Sequence, residues 1–334
     1  ADVAELAAVT ARIPRLLAQL VGAHNAHEVV TRLITDIADT VTRRLLWLGE
    51  QSLGPAPVPY LWLACGSQGR QEQTGVSDQD NCLILDDAFD EASHGAYFKA
   101  FSKFVCDGLA ECGYIHCPGD MMAMTDTWRQ PRARWAEYFR RWIGEPEPTA
   151  LMLTCVFFDL RAIHGKASLL DGLRRDVLQH TRGNTLFLAH MVGNALSRQP
   201  PLGFFKGLSP ARSGEHKGTI DLKLTGVVPI VDLARVYALA GGHAEVNTHD
   251  RLLTAGEGGD ISAQSARDLR DALEFLSKLR IAHQARQMTQ GQPPDNFLAL
   301  EELSNFERSH LKEAFSVVQT LQGVLGQRYQ TGRY

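Results

Sequence analysis

Residues 61–85 have the sequence LWLACGSQGRQEQTGVSDQDNCLIL, in which two apolar runs flank a polar turn. The first run ends at Gly66 and Ser67; glycine lets a backbone approach a ligand closely, and the serine adds a hydroxyl beside exposed backbone amides. Residues 68–73 can begin a short helix whose positive N-terminal end would face a phosphate at that turn. Together with the forked cation of Arg70, the turn therefore predicts a phosphate-binding site.

Two carboxylates, Asp78 and Asp80, precede the second apolar run. Side chains two residues apart in a strand point to the same face, so these two project together. Carboxylates this close repel each other unless a cation lies between them, and oxygen ligands suit Mg²⁺ or Mn²⁺. The pair predicts a divalent-metal site; the alternative is a solvated acidic turn before a strand.

A third carboxylate, Asp159, follows a nearly continuous apolar run at 151–158. Such a run is typical of a buried central strand. A buried, unpaired aspartate at its end would be costly, so the charge must be neutralised. Either a metal ion or Arg161, which lies two residues along the same predicted strand face, can do so, and both alternatives remain open at this point.

The pattern of apolar residues changes twice along the chain. Apolar residues recur every three or four positions over residues 1–52, which predicts helix, and a proline-rich break follows at 54–59. Residues 53–166 alternate helical stretches with short apolar runs at 60–65, 82–85 and 151–158, and helical periodicity returns over 167–334. The predicted fold class is therefore α+β: a small mixed-sheet core flanked by N-terminal helices and a C-terminal helical bundle.

Individual helices can also be placed. The periodicity predicts helices over 96–112 and 126–142, and a loop rich in glycine over 200–223. In the C-terminal region the predicted helices are 167–180, 184–198, 226–241, 262–288 and 303–329.

Composition limits the possible functions. The chain has 334 residues, 44% hydrophobic and 22% charged, which excludes wholesale disorder. Its net charge of −4 argues against general nucleic-acid binding but permits a local basic pocket. No apolar run is long enough for a membrane span, and no secretory signal is present. Six cysteines without paired spacings fit reduced thiols, so we expect a cytoplasmic protein.

The order of these motifs resembles the nucleotidyltransferase superfamily of the DNA polymerase beta type. Residues 66–74 and 77–81 more closely resemble the DUF294 nucleotidyltransferase family, which is related to PII uridylyltransferase and glutamine-synthetase adenylyltransferase. FDLRAIHG at 158–165 is similar to that family's third-carboxylate strand. GEHKGTIDLK at 214–223 and VPIVDLAR at 228–235 are similar to its helical C-terminal domain, so the resemblance covers nearly the whole chain.

The resemblance implies roles for particular residues. Ser67 and Arg70 would hold a triphosphate, with Gly66 allowing the backbone to come close. Asp78 and Asp80 would hold the metal ions. Asp159 would complete the metal site and help to deprotonate an acceptor hydroxyl.

Lys217 and Lys223 belong to the basic, glycine-rich loop, together with Lys206. They would contact a phosphate or the acceptor from the helical domain, or they form a solvated basic loop. We expect the active-site cleft to lie between the α/β domain and the C-terminal helices, with this loop facing the nucleotide.

The expected function is Mg²⁺-dependent (or Mn²⁺-dependent) transfer of a nucleoside monophosphate from an NTP to an acceptor hydroxyl, with release of pyrophosphate. The related transferases imply a protein acceptor. Relatives often carry CBS or cyclic-nucleotide-binding modules upstream, and neither is visible in this chain. The alternative is a regulatory module that binds a nucleotide without turnover inside a larger signalling protein.

Overall fold

A four-stranded sheet forms the centre of the N-terminal half of the computed structural model, which describes residues 2–203 and 207–330. The strands of this half are β1 (Tyr60–Ala64), β2 (Asp78–Gln79), β3 (Asn81–Leu85), β4 (Ile115–His116), β5 (Arg129–Pro131) and β6 (Arg161–Gly165). The sheet has the order β5-β3-β1-β6, with β1 antiparallel to both neighbours and β5 parallel to β3. Strands β2 and β4 form a separate parallel pair. Every residue of β1 and β3 is buried, which accounts for their unbroken apolar runs.

Helices pack around this sheet. Those of the N-terminal half are α1 (Val3–Thr10), α2 (Ile13–Gly22), α3 (His27–Leu53), α4 (Gly66–Gly69), α5 (Glu91–Glu111), α6 (Arg132–Gly144) and α7 (Pro148–Thr154). The long helix α3 packs along α5. It ends at Gly54, whose φ of +88° favours glycine, and the prolines that follow prevent its continuation.

The expected strand at 151–158 is wrong. Helix α7 and a 3₁₀ turn at Cys155–Asp159 occupy this stretch. Leu151 and Thr154 are buried, whereas Met152 and Leu153 are 51% and 50% exposed; this three-residue spacing fits a helix and neither a fully buried nor an alternating strand. A short apolar run looks alike in a buried helix and a buried strand, which explains the error.

The helix expected at 126–142 begins later than expected. A 3₁₀ turn at Asp126–Trp128 is followed by the edge strand β5, and only then by α6. Pro131, which lacks an N–H group, lies at the junction as the N-terminal cap residue of α6. Proline is therefore placed where neither the strand nor the helix needs its missing donor.

The C-terminal half is helical, as expected, and the α+β fold class is confirmed. Its helices are α8 (Ser168–Thr181), α9 (Thr185–Leu196), α10 (Val228–Gly241), α11 (Thr248–Gly258), α12 (Ala263–Thr289) and α13 (Asn305–Arg328). Two elements were not predicted: helix α11 and a small antiparallel pair, β7 (Thr219–Asp221) with β8 (Phe297–Ala299). Lys206 of the basic loop lies outside the described residues.

Helix α10 and the π-helical segment Leu222–Val227 before it form one long apolar stretch. By length and composition Leu222–Gly241 could cross a membrane, but 72% of its apolar window is buried inside the structure. One continuous hydrophobic core includes residues of this helix and of the central sheet. The stretch is therefore packed as the core helix of the C-terminal half.

Candidate active site

The Gly66–Ser67 turn and Asp80 are in direct steric contact. Gly66 has φ +57°, and a Cβ atom at this position would lie 2.3 Å from Asp80 Oδ2. The Cys65 N–H donates to the Asp80 carbonyl oxygen over 3.0 Å, which joins the end of β1 to the start of β3. A residue without a side chain is required here because the carboxylate occupies the space that a side chain would fill.

Polar side chains on the opposite face hold the Asp-Gln-Asp segment in place. Gln79 is buried and donates from Nε2 to the carbonyls of Cys106 (2.8 Å) and Tyr114 (3.0 Å). Asn81 donates to Gln79 Oε1 and accepts from the N–H of Ala123. Successive residues of an extended chain point to opposite faces. Because the side chains of Gln79 and Asn81 are anchored in the interior, those of Asp78 and Asp80 point to the other face.

Asp78 and Asp80 come together with Cys117. One ligand atom of each lies within 4.8 Å of the others. Burial, followed by the nearby charge of Asp78, raises the pKa of Asp80 to about 6. In contrast to Asp159, which is paired with arginines, neither Asp78 nor Asp80 forms an ion pair within residues 2–203 and 207–330. Two crowded carboxylates without a protein cation fit a divalent cation, and their oxygens suit Mg²⁺ or Mn²⁺.

Asp159 lies in a different environment. It is fully buried, and its Oδ1 accepts from Arg235 Nε (3.0 Å) and Arg251 Nη1 (2.7 Å). Its Oδ2 accepts from Arg70 Nη1 (2.8 Å) and Arg235 Nη2 (2.6 Å). Burial opposes ionisation, but the three guanidinium charges outweigh it and hold the pKa of Asp159 well below its usual range.

This arrangement differs from the environment expected for a metal ligand at Asp159. A carboxylate has about four acceptor positions, and arginines fill all four here. Its oxygens also do not join the described group of possible metal ligands that contains Asp78 and Asp80. The structure therefore places Asp159 as the anchor of an arginine cluster, and its role as a third metal ligand stays a prediction.

Arg161 is not the partner of Asp159 either. Its two Nη atoms bind Asp39 of α3 at 2.7 and 2.9 Å. It also donates to the carbonyls of Gln68 (2.9 Å) and Gly69 (3.1 Å). Arg161 thus ties the short helix α4, and with it the Gly66–Ser67 turn, to the N-terminal helices.

Arg70 joins the turn to the helical half. Its Nε donates to Glu72 Oε2 over 2.8 Å, so Glu72 fixes the orientation of the guanidinium. Glu72 Oε1 accepts from the Thr248 N–H, and Asn247 donates to the Arg70 carbonyl, both at the start of α11. Among described residues the remaining nitrogen of Arg70, Nη2, makes no hydrogen bond.

A cleft opens beside this network. Its walls come from the N-terminus of α3, from the segment after the Gly66–Ser67 turn, and from the C-terminal helices. Ser67, Arg70 and Ser77, the residue before Asp78, line it on one side, and Lys223 and Arg280 line it on the other.

The two lysines expected to contact the nucleotide differ. Lys223 lines the cleft, and its charge favours the ionised form of Asp80. Lys217 is exposed in a turn where its N–H donates to the Gly214 carbonyl, and it does not line the cleft. Of the two lysines for which the sequence predicted the same role, only Lys223 lies at the cleft.

Several residues of the site were missed by sequence reasoning. Arg235, Arg251 and Arg280 are all buried. One signal was present: Asp232 and Arg235 interrupt an apolar helix, and the structure shows them paired at 2.8 Å. Charged residues at such positions indicate a buried network, because isolated charges are not tolerated there. Arg251 and Arg280 occupy helices of mixed composition and left no comparable signal.

Two family models match the chain. The model described as "Putative nucleotidyltransferase DUF294" matches residues 11–149, which include Gly66, Ser67, Asp78 and Asp80. The model described as "Putative nucleotidyltransferase substrate binding domain" matches residues 185–329 and includes the buried arginines of the helical half. No curated protein matches the chain. Because the two matches follow each other in order and together span most of its length, the chain belongs to the DUF294 family of nucleotidyltransferase-like proteins.

Proposed function

We propose that this chain is a nucleotidyltransferase that depends on Mg²⁺ or Mn²⁺ and transfers a nucleoside monophosphate from an NTP to an acceptor hydroxyl. The observation that carries the proposal is that Asp78 and Asp80, which form no ion pair among the described residues, lie against the Gly66–Ser67 turn beside a cleft lined by Ser67, Arg70 and Lys223. Phosphoryl-transfer sites commonly combine paired carboxylates with donors for the phosphates.

In the reaction, the acceptor oxygen attacks the α-phosphorus and the bond from that phosphorus to the β-phosphate oxygen breaks. Pyrophosphate leaves with the bonding electrons, and the hydroxyl proton passes to water. A divalent cation held by Asp78 and Asp80 would neutralise phosphate charge and polarise the phosphorus centre. Ser67 and the free Nη2 of Arg70 line the cleft, where they can donate to phosphate oxygens.

Asp159 contributes indirectly in this proposal. Its pKa is lowered and its acceptor positions are filled, so it is a poor base for the acceptor hydroxyl. It instead fixes Arg70, whose Nε is fixed in turn by Glu72. Because Nε and Nη1 of Arg70 are already held, its Nη2 can bind a phosphate oxygen without further loss of side-chain entropy.

A specific observation also supports the second candidate, a nucleotide-binding regulatory module. With Asp159 occupied by arginines, only two of the three carboxylates expected to bind metal, Asp78 and Asp80, remain without an ion pair among the described residues. Nucleotide binding without transfer would then be the function, with the helical half reporting occupancy.

One experiment separates the candidates. The purified chain is incubated with each of the four NTPs labelled at the α-phosphate, with Mg²⁺ or Mn²⁺ and cell lysate as the source of acceptors. We expect labelled acceptor from wild type and none from Asp78→Asn or Asp80→Asn. Asp36→Asn is the matched control because Asp36 is exposed on α3 and does not line the cleft. NTP binding without any labelled product would favour the regulatory module.

A further inference from the structure

Arg280 of α12 is a buried cation without a counterion among residues 2–203 and 207–330. The residue is 8% exposed. Within the described ranges its guanidinium makes one hydrogen bond, from Nε to Asn296 Oδ1 over 2.7 Å, and no ion pair. The two other buried arginines of the helical half, Arg235 and Arg251, both pair with Asp159. Arg280 thus differs from its neighbours in having both Nη atoms available.

Such an arrangement is unfavourable without a ligand. Burying a charge without a partner costs free energy. Burial lowers the pKa of Arg280 to about 10, and the charge of Arg70 lowers it further. The negative charges of Asp221, Glu72 and Asp78 raise it, but by less. The guanidinium still carries its charge at neutral pH. An anion that entered the cleft would supply the missing partner.

The surroundings of Arg280 define the shape of that anion. Lys223, which makes no ion pair in the described part of the chain, lines the same cleft on the turn after β7. Ser67 and Arg70 line the facing wall. Asp78 and Asp80, the candidate metal ligands, are near enough for their charges to act on Arg280 and Lys223. The cations that line the cleft therefore lie near the candidate metal ligands, which are not themselves part of its lining.

We propose that Arg280 and Lys223 bind the terminal phosphates of the NTP, the two that leave as pyrophosphate. This inference rests on the proposed nucleotidyl transfer. A metal cation at Asp78 and Asp80 would bind the reacting α-phosphate. Lys223 and Arg280 of the helical half are then available to bind the two phosphates that leave as pyrophosphate. A guanidinium fork matches two phosphate oxygens, and an ammonium adds a point charge.

Two cations for the terminal phosphates would determine which nucleotides the protein binds. Binding should strengthen with the number of phosphates beyond the first, so NTPs and inorganic tripolyphosphate should bind much more tightly than a nucleoside monophosphate. It also gives the helical half a direct part in the site. That half would then hold the leaving group, not only the acceptor.

Calorimetry on the full chain tests this with inorganic tripolyphosphate, with and without Mg²⁺. We expect Arg280→Gln to weaken tripolyphosphate binding at least tenfold, Arg280→Lys to weaken it less, and binding of a nucleoside monophosphate to change little. Arg286→Gln is the matched control: Arg286 lies on the same helix, half exposed and paired with Glu302, away from the cleft. If Arg280→Gln does not fold, Arg280→Lys and Lys223→Gln still carry the comparison.

The outcomes separate the two proposals. Tripolyphosphate affinity that is equal in wild type and in the Arg280 and Lys223 variants overturns the inference, even if nucleotidyl transfer that requires Asp78 and Asp80 is observed. Tripolyphosphate binding that depends on Arg280 in a protein without transfer activity supports the anion site and overturns the proposed reaction instead.

Discussion

Arg251 of α11 donates a hydrogen bond of 2.7 Å to Oδ1 of Asp159, a residue 92 positions earlier in the chain. The same guanidinium donates to the Phe158 carbonyl. Through this contact the helical half neutralises a carboxylate at the start of the last sheet strand. The junction of the two halves is therefore an electrostatic network around one buried anion, and the candidate active site is built against it.

Replacing that anion should destabilise the protein. Asp159→Asn leaves three buried arginines without their shared partner, and breaking a buried pair in this way costs about 3–5 kcal/mol. Urea unfolding of the metal-free protein measures the change, with exposed Asp36→Asn as the control. The opposite sign follows if Asp159 is one of three mutually repelling metal ligands. An unchanged or increased free energy of unfolding would therefore contradict the arginine-anchor role.

Gly66→Ala should damage the metal site. The new methyl group would lie 2.3 Å from Asp80 Oδ2, and the positive φ adds roughly 1–2 kcal/mol of backbone strain. We expect a large loss of Mn²⁺ affinity, measured by calorimetry. Gly193→Ala in α9 is the control, because a Cβ there meets nothing within 4 Å. Wild-type Mn²⁺ affinity in Gly66→Ala would show that Asp80 does not bind the ion.

Lys223 and Lys217 form a matched pair of substitutions. Lys223→Gln removes a cation that lines the cleft and should weaken NTP binding about tenfold, or about 1.4 kcal/mol. Lys217→Gln removes an exposed cation from the same loop and should leave the affinity unchanged. Fluorescent-nucleotide titration at two salt concentrations measures both. Equal losses in the two variants would mean that only general charge attraction is involved.

The stability of the metal-free protein should depend on Asp80 through pH. Its pKa is raised from 3.8 to about 6, so between these values the folded protein binds more protons than the unfolded chain. Stability contributed by this group is therefore present at low pH and lost as pH rises to about 6, by on the order of 1–3 kcal/mol. Thermal melts at pH 4.5 and 7.5 should show this loss in wild type and not in Asp80→Asn.

Divalent cations should reverse that loss. A cation bound between Asp78 and Asp80 removes their repulsion, and binding to the folded state alone raises its stability. We expect Mg²⁺ or Mn²⁺ to raise the Tm of wild type at pH 7.5 and to have little effect on Asp78→Asn. A rise of the same size in both proteins would point to a metal site elsewhere.

Local pattern was sufficient for much of the architecture. The Gly66–Ser67 turn, the strands on either side of it and most of the C-terminal helices were predicted because each depends on neighbours within a few residues. The apolar stretch at 151–158 was misassigned for the same reason. Its length and composition suit a strand as well as a helix, and only its packing, with Leu151 buried and Met152 exposed, distinguishes them.

The sequence by itself determined that Asp78 and Asp80 lie side by side, since two-residue spacing in extended chain leaves little alternative. It also determined that Asp159 needs a partner, because an unpaired buried charge is unstable. Only the tertiary structure decided which arginines pair with it: Arg70, Arg235 and Arg251, not Arg161. A buried charge pairs with the side chains that the packing of distant helices brings within hydrogen-bond distance. The spacing of residues along the chain does not determine which side chains these are.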